Sequence, residues 1–335
     1  RRRHTRFKCD WSSDVCSSDL RLNSSNSRMK KLLILGAGYI GSEIIARFCN
    51  QFNITCISHA KSFDDLNQKY PDVRYIMSDI HDKELIAKHS FDAEIVVYAI
   101  DAGSVVSCIE NPEKYRQINV DDFSTICDVI KDRKANFLLF SSSFVYPDVS
   151  NATENTKLTP ETLYGKLRVA QENLVRETST NYTILRLSNI YGYGKFSKVG
   201  RLGAIEKFIE GVFLNQKIFL HGNGTQKVDY LHMDDLMRAL KILMPSTKKY
   251  QTYNIASGKS QSIFEVAKII EKIALDKFKI KIDIIKLDEH ITMPNSPNMS
   301  INKICAETSW RPKKSLVDNI ENMMMSFYSK HKGNV

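Results

Sequence analysis

Gly36-Ala37-Gly38-Tyr39-Ile40-Gly41 follows a short apolar run and precedes residues at helical spacing. In this G-x-G-x-x-G pattern Gly36 permits a tight turn, Gly38 lets the backbone approach a pyrophosphate, and Gly41 lets helix and strand pack closely. The helix N-terminus adds unpaired N–H groups and partial positive charge for the anion. Gly-rich turns also serve packing alone, but at the first strand-to-helix turn the expectation is a bound dinucleotide, with Tyr39 and Ile40 in the same loop. The second chemical feature is Tyr164 with Arg168 four residues on, after the hydroxyl run Ser141-Ser142-Ser143. A tyrosine serves as general acid or base only if its pKa falls from about 10. A cation one helical turn away and a nicotinamide's positive charge would both favour the phenolate. The alternative is a surface tyrosine with an ordinary neighbour.

The stretch about 20 residues after the glycine loop distinguishes NAD from NADP, since a carboxylate there binds ribose hydroxyls and repels a 2′-phosphate. Here it reads Ile57-Ser58-His59-Ala60-Lys61. Ser58 can donate a hydrogen bond, and Lys61 and His59 can supply charge. NADP is the expected cofactor, with NAD the alternative. Asp79-Ile80, after a third strand, sits where an adenine would be held, although Asp79 could instead cap the next helix. Ala99, ending a fourth strand, joins the cofactor-facing set. His232 with Asp234-Asp235 looks like an acid/base group. The favoured reading is a structural histidine and a helix-opening aspartate. Met323-Met324-Met325 suits core or interface filling rather than a metal site, and no metal is expected.

These residues need elements to hold them. Apolar runs at 31–35, 53–57, 73–77, 94–99, 136–140 and 182–187 read as buried strands. Amphipathic or polar stretches separate them, with long helices expected over 112–131 and 159–177. Thr159-Pro160 opens the second of these as N-cap hydroxyl and first-turn proline. Strands alternating with helices predict an α/β fold with a doubly wound parallel sheet, ligands lying beyond the carboxyl ends of its strands. Past residue 188 the pattern loosens into a smaller α/β substrate domain. Helices are expected at 204–214, 233–243 and 263–275, strands at 217–220, 252–255 and 279–287, and a loop over 288–300. The expected division is a dinucleotide-binding unit at 29–188 and a substrate unit at 189–335, segments near 228–256 returning to the first.

The 335 residues are 42% hydrophobic and 26% charged, with 14 Gly and 8 Pro. That composition excludes collagenous and low-complexity chains. No apolar run of 18 residues exists, so no membrane span is expected. Seven scattered cysteines lack zinc or disulfide spacing. Residues 1–28 carry seven Lys/Arg and three Asp, hence +4 of the net charge of +10. The run CDWSSDVCSSDLRLNSS resembles translated sequencing-adapter peptides, so Met29 is expected to open the native chain. The alternative is a basic arm for nucleic acid, which is not the expected partner. Lys30-Lys31 and the following apolar run are too short for an export signal, and a reducing cytoplasm is expected.

Taken together, the chain resembles the extended short-chain dehydrogenase/reductases, in the NAD(P)-dependent epimerase/dehydratase group. The resemblance runs from Met29 to the C-terminus through GAGYIG at 36–41, SDI at 78–80, NPEKYRQINV at 111–120 and SSSFVY at 141–146. It continues through LYGKLRVAQENLV at 163–175, LRLSNIYGYG at 185–194, GNGTQKVDYLHMDDL at 222–236, YNIASG at 253–258 and WRPKKSL at 310–316. It implies a Rossmann domain, a small substrate domain, a Ser–Tyr–Lys catalytic set and a homodimer. It selects Ser142 as the serine, with Ser143 in reserve, and places Asn189 on the substrate.

Three positions depart from the family pattern. Arg168 stands where the pattern has lysine; a rigid fork replaces an ammonium. Ser143-Phe144 stand where 4,6-dehydratases carry Asp-Glu, which disfavours dehydration. Val228 stands where an arginine usually meets the substrate diphosphate, leaving Lys227 as the nearest cation. The expected function is therefore reduction of a keto group on a nucleotide-linked sugar. The alternatives are a 4-epimerase with retained NAD and a non-catalytic dinucleotide-binding protein.

Overall fold

The computed structural model describes residues 28–59, 63–100, 103–178, 181–194, 203–287 and 294–331. The tail through residue 27 and Lys61 lie outside them, as does the first half of the expected 288–300 loop. Twelve strands are numbered along the described chain: β1 Lys31–Leu35, β2 Asn53–Ser58, β3 Arg74–Met77, β4 Ile95–Tyr98, β5 Asn136–Ser142 and β6 Tyr182–Leu187; then β7 Asn189–Tyr191, β8 Lys217–His221, β9 Lys227–His232, β10 Gln251–Ile255, β11 Ser260–Ser262 and β12 Asp283–Leu287.

Seven of them form one sheet in the order β10-β6-β5-β4-β1-β2-β3, and every pairing is parallel. Alternation sends Leu32 and Ile34 into the core on one face and Leu33 and Leu35 into the core on the other. Both faces are buried, which is why these strands read as continuous apolar runs. The chain reverses direction across the sheet at β1, whose neighbours are β2 and β4. That reversal opens a crevice at the carboxyl ends, the switch point of a doubly wound sheet.

A second core surrounds Ile205, Phe208, Val212, Val266, Ile270 and Met324. It serves the helices Ala204–Asn215, Ile263–Ile273 and Leu316–His331 and two small sheets, β11-β9-β7 and β12-β8. Of this part of the chain, β10 returns to the large sheet beside β6. Among the described residues, no helix is long and apolar enough to cross a membrane.

Two helices differ from expectation. The stretch 112–130 is helical, but Gln117–Asp122 forms a wide π-turn inside it. There the Asn119 side-chain amide donates to the Tyr115 carbonyl at 2.8 Å, taking an acceptor the backbone ladder would use. The second helix spans Leu163–Thr178 rather than starting at Thr159. Its cap is Thr162, whose hydroxyl accepts from the Gly165 N–H at 3.0 Å and whose carbonyl accepts from Lys166. The strand expected over 279–287 is confined to β12, because the preceding helix ends in a π-turn and Lys279 is left-handed at φ 61°.

Candidate active site

The glycine loop joins β1 to the helix Tyr39–Phe48. Gly36 has φ 102°, and a Cβ there would lie 3.0 Å from the Ala99 carbonyl oxygen. A Cβ on Gly41 would overlap the Gly36 carbonyl, so helix and strand approach more closely than a side chain allows. Gly38 differs: the nearest atom to an added Cβ is Ala99 O at 4.0 Å, so its face is open. Gly38 is also the N-cap, and no side chain caps the helix. An open backbone face beside uncapped N–H groups suits a dinucleotide's pyrophosphate.

Tyr39 makes a link outside the loop. Its hydroxyl donates to the Gly192 carbonyl, across 153 residues of chain. Burial, then Glu206 and Glu43, push its pKa well above the ordinary value, which keeps the phenol a donor. Ile40 packs against the core. Ser58 is nearly buried at the end of β2, and His59 follows it, exposed. No carboxylate stands at either position. Asp79 is exposed and accepts from His81 N at 3.1 Å, with Ile80 beside the core. The following helix is capped by Asp82, which accepts from Leu85 N at 3.0 Å, so Asp79 is not its cap.

The second group gathers at the end of β5. The Ser142 hydroxyl accepts from Phe144 N at 3.3 Å, closing a tight turn. Ser143 is 1% exposed and shares a hydrogen bond with Ser296 at 3.0 Å, which ties it to the 294–300 segment. Tyr164 sets its ring edge-on to Phe144 with centroids 6.1 Å apart. This contact depends on Gly165, because a Cβ there would overlap the Phe144 carbonyl oxygen. Arg168 is 4% exposed; its guanidinium lies 5.0 Å from the Tyr164 ring centroid and donates to Gln171 Oε1 at 2.9 Å.

Behind these residues is a network that the sequence reading missed. The Glu172 carboxylate is fully buried. It accepts from Ser141 at 2.6 Å, from Arg186 Nε and Nη2 at 2.9 and 2.7 Å, and from Arg176 at 2.8 Å. Burial alone would raise its pKa, but the hydrogen-bonded Arg186 guanidinium overrides that and holds it below the usual range. Arg186 also donates to the Tyr146 hydroxyl at 2.7 Å. The available signal was a lone arginine inside the apolar run of β6. In a sheet buried on both faces such a charge requires a carboxylate from the packed helix.

On the substrate side Asn189 stands on β7, paired with Tyr230 of β9. Val228 packs into the second core. Lys227 is exposed, and its backbone is tied to Asn295 and Ser296. Its charge helps hold the Glu265 carboxyl low, after the Ser262 hydrogen bonds that act first. His232 Nδ1 accepts from Asp234 N at 3.1 Å and so caps the helix Met233–Leu243, while Asp234 pairs with Arg47 at 2.6 Å. His232 and Asp234 thus both stand at the start of that helix, where the sequence placed a helix-opening aspartate.

The NAD dependent epimerase/dehydratase family model matches residues 32–256. A protein of Methanocaldococcus jannaschii, provisionally named a UDP-glucose 4-epimerase, is 30% identical over 70% of this chain and 79% of its own length. The UDP-glucose 4-epimerase of Lactobacillus helveticus is 25% identical over 90% of this chain and 98% of its own. A Bacillus cereus UDP-glucuronic acid 4-epimerase variant, solved with a fluorinated nucleotide sugar and NAD, superposes with a TM-score of 0.79 at 20% identity. That match covers 90% of this chain and 99% of the other. dTDP-glucose 4,6-dehydratases of Mycobacterium tuberculosis and other bacteria also match, at about the same identity as the L. helveticus epimerase. The doubly wound sheet, the glycine loop at its switch point and the match over most of the chain agree: this protein belongs to the NAD dependent epimerase/dehydratase family.

Proposed function

We propose that this protein interconverts the configuration of a hydroxyl-bearing carbon on a nucleotide-linked sugar, acting as a 4-epimerase with NAD as cofactor. The observation that carries the reading is that the two residues following Ser142 at the end of β5, Ser143 and Phe144, are not carboxylic acids. Ser143 is committed to Ser296, and Phe144 is committed to the Tyr164 ring. Elimination of water would need an acid at one of these two places. Epimerisation needs none, and the relatives named as 4-epimerases support that choice.

The Gly36–Gly41 loop would hold the pyrophosphate, and Ala99 would border the same crevice. When bound, the dinucleotide would supply a hydride acceptor and donor for the sugar carbon. The Tyr164 hydroxyl takes the proton from the sugar oxygen in one direction and gives it back in the other. Ser142 accepts from Phe144 N, which leaves its own O–H to donate to that oxygen as charge builds on it. Arg168 keeps a positive charge beside the Tyr164 ring and favours the phenolate. Asn189 would face the sugar.

A second reading is one-way reduction of a keto-sugar by NADPH. It rests on the end of β2, where Ser58 and His59 present no carboxylate to repel a 2′-phosphate. One experiment separates the two. The purified protein is extracted for mass spectrometry of its cofactor, then incubated with UDP-glucose and followed by proton NMR for the 4-epimer. Retained NAD and epimer formation are expected. NADPH consumption with a keto-sugar and no epimer would select the second reading. Tyr164→Phe should lower turnover by about 100- to 10,000-fold with the fold intact. Full activity in that variant would remove Tyr164 from the mechanism.

A further inference from the structure

Arg168 is the position where this chain departs from the family's Tyr-x-x-x-Lys. The guanidinium is almost fully out of water, and a buried charge needs acceptors. Tyr164, Arg168 and Gln171 lie three to four residues apart and so share one face of the helix Leu163–Thr178. Gln171 is fully buried, and its Oε1 takes the Arg168 Nη1 at 2.9 Å. Its Nε2 points to Asn119 Oδ1 at 3.5 Å, and Asn119 Nδ2 donates to the Tyr115 carbonyl at 2.8 Å inside the π-turn.

This chain of amides has a direction. Tyr115 offers a carbonyl, so Asn119 must present its NH₂ there and its oxygen to Gln171. Gln171 must then present its NH₂ to Asn119 and its oxygen to Arg168. The π-turn thus orients an acceptor at a fixed place beside the helix. A planar guanidinium uses both of its surfaces here: its edge donates to Gln171 while its face covers the Tyr164 ring. A single ammonium has no second surface of this kind.

We propose that Gln171 is a positioning residue, oriented through Asn119 by the π-turn, that holds the Arg168 guanidinium over Tyr164 and lets arginine serve in the lysine position. The proposal rests on the reading of Tyr164 as the acid/base group, and its test is built to be read separately. Protein labelled with ¹³C-tyrosine gives one ring signal for each of its 14 tyrosines. The Tyr164 signal is the one lost in Tyr164→Phe. Gln171→Leu should move it in the same direction as Arg168→Met does, and adding Gln171→Leu to Arg168→Met should move it no further. Gln171→Met, of similar length and without an acceptor oxygen, should reproduce the shift if the leucine variant folds poorly. With substrate, Gln171→Leu should lower kcat by about ten- to hundredfold and leave KM within about twofold, as expected for a misplaced catalytic group. A Tyr164 signal unmoved in both Gln171 variants, or shifts that add in the double variant, would overturn the proposal. The signal is read without substrate, so a fully active Tyr164→Phe removes the acid/base assignment without deciding the Gln171 result.

Discussion

Glu172, behind the candidate active site, and Glu206, in the second core, are 0% and 4% exposed, yet the two halves of the molecule hold them differently. Glu172 is surrounded by donors that carry charge: Arg186 through two nitrogens and Arg176 through one, with Ser141 completing the set. Glu206 accepts from the Gly192 backbone N–H at 2.8 Å. Burial dominates at Glu206 and raises its pKa, with the Gly192 hydrogen bond opposing. The first region is therefore built to keep a charge and the second to hold a carboxyl that takes up a proton readily. Each joins separate elements. Glu172 connects its helix to β5 and β6. Glu206 connects the helix Ala204–Asn215 to Gly192, where Tyr39 arrives from the glycine loop.

The largest effect is expected from breaking the charged region. Arg186→Met leaves Glu172 without its main partner and should cost about 3–5 kcal/mol. In a chain of this size that is a fall in Tm of about 4–7 °C. Adding Glu172→Met should restore part of the loss, because an apolar pair of similar volume avoids the buried charge. Thermal unfolding of the single and double variants checks both. A loss under about 1 kcal/mol for Arg186→Met would mean that Glu172 already has enough partners without it.

Gly165→Ala tests the same region through geometry rather than charge. The added methyl would overlap the Phe144 carbonyl, so the helix must shift away from the turn that follows β5. Stability should fall by about 1–3 kcal/mol, as for other overpacked sites. Turnover should fall by about a hundredfold, because Tyr164 moves relative to Ser142. Steady-state rates beside a melting curve show whether the loss exceeds what unfolding explains. Unchanged turnover would mean that the Tyr164–Phe144 contact does not set the site.

The contrast between the regions also explains which parts could be read from sequence. The seven-stranded sheet is legible because strands buried on both faces leave unbroken apolar runs between helical spacings. The glycine loop is legible because each of its glycines answers a separate steric demand. β7, β9 and β11 are not legible. Ser260-Gln261-Ser262 has no apolar pattern, and β9 carries the buried Asp229, which accepts from Ser257 and Gly258. Thr159-Pro160 carries the same cap signal as Thr162, and the choice between them falls to Gly165 and the close approach it allows. Glu172 and Gln171 are hidden because their partners, Arg186 and Asn119, come from distant elements. Lys61, which together with Ser58 and His59 carried the expectation of NADP, lies outside the described residues.

The smallest effect, and the sharpest separation of the two regions, is expected from Glu206→Gln as a function of pH. A carboxyl whose folded pKa lies above its unfolded value favours the folded state while both forms are protonated. That contribution is lost as pH rises from the unfolded value, about 4.3, through the folded one. Glu172 has the opposite sign: its folded pKa is depressed, so its stabilisation is present above about 4.3 and is lost as pH falls through the folded value. Glutamine keeps an oxygen for the Gly192 N–H and removes the titration. The variant should therefore match the parent near pH 4 and melt a few degrees higher at pH 8, with a flatter profile between. Arg186→Met should instead lose most above pH 5, where Glu172 is ionised. Melting curves from pH 4 to 8 on both variants decide the matter. A Glu206→Gln profile parallel to the parent's would mean that Glu206 is already charge-compensated when folded, and the distinction drawn between the two carboxylates would fail.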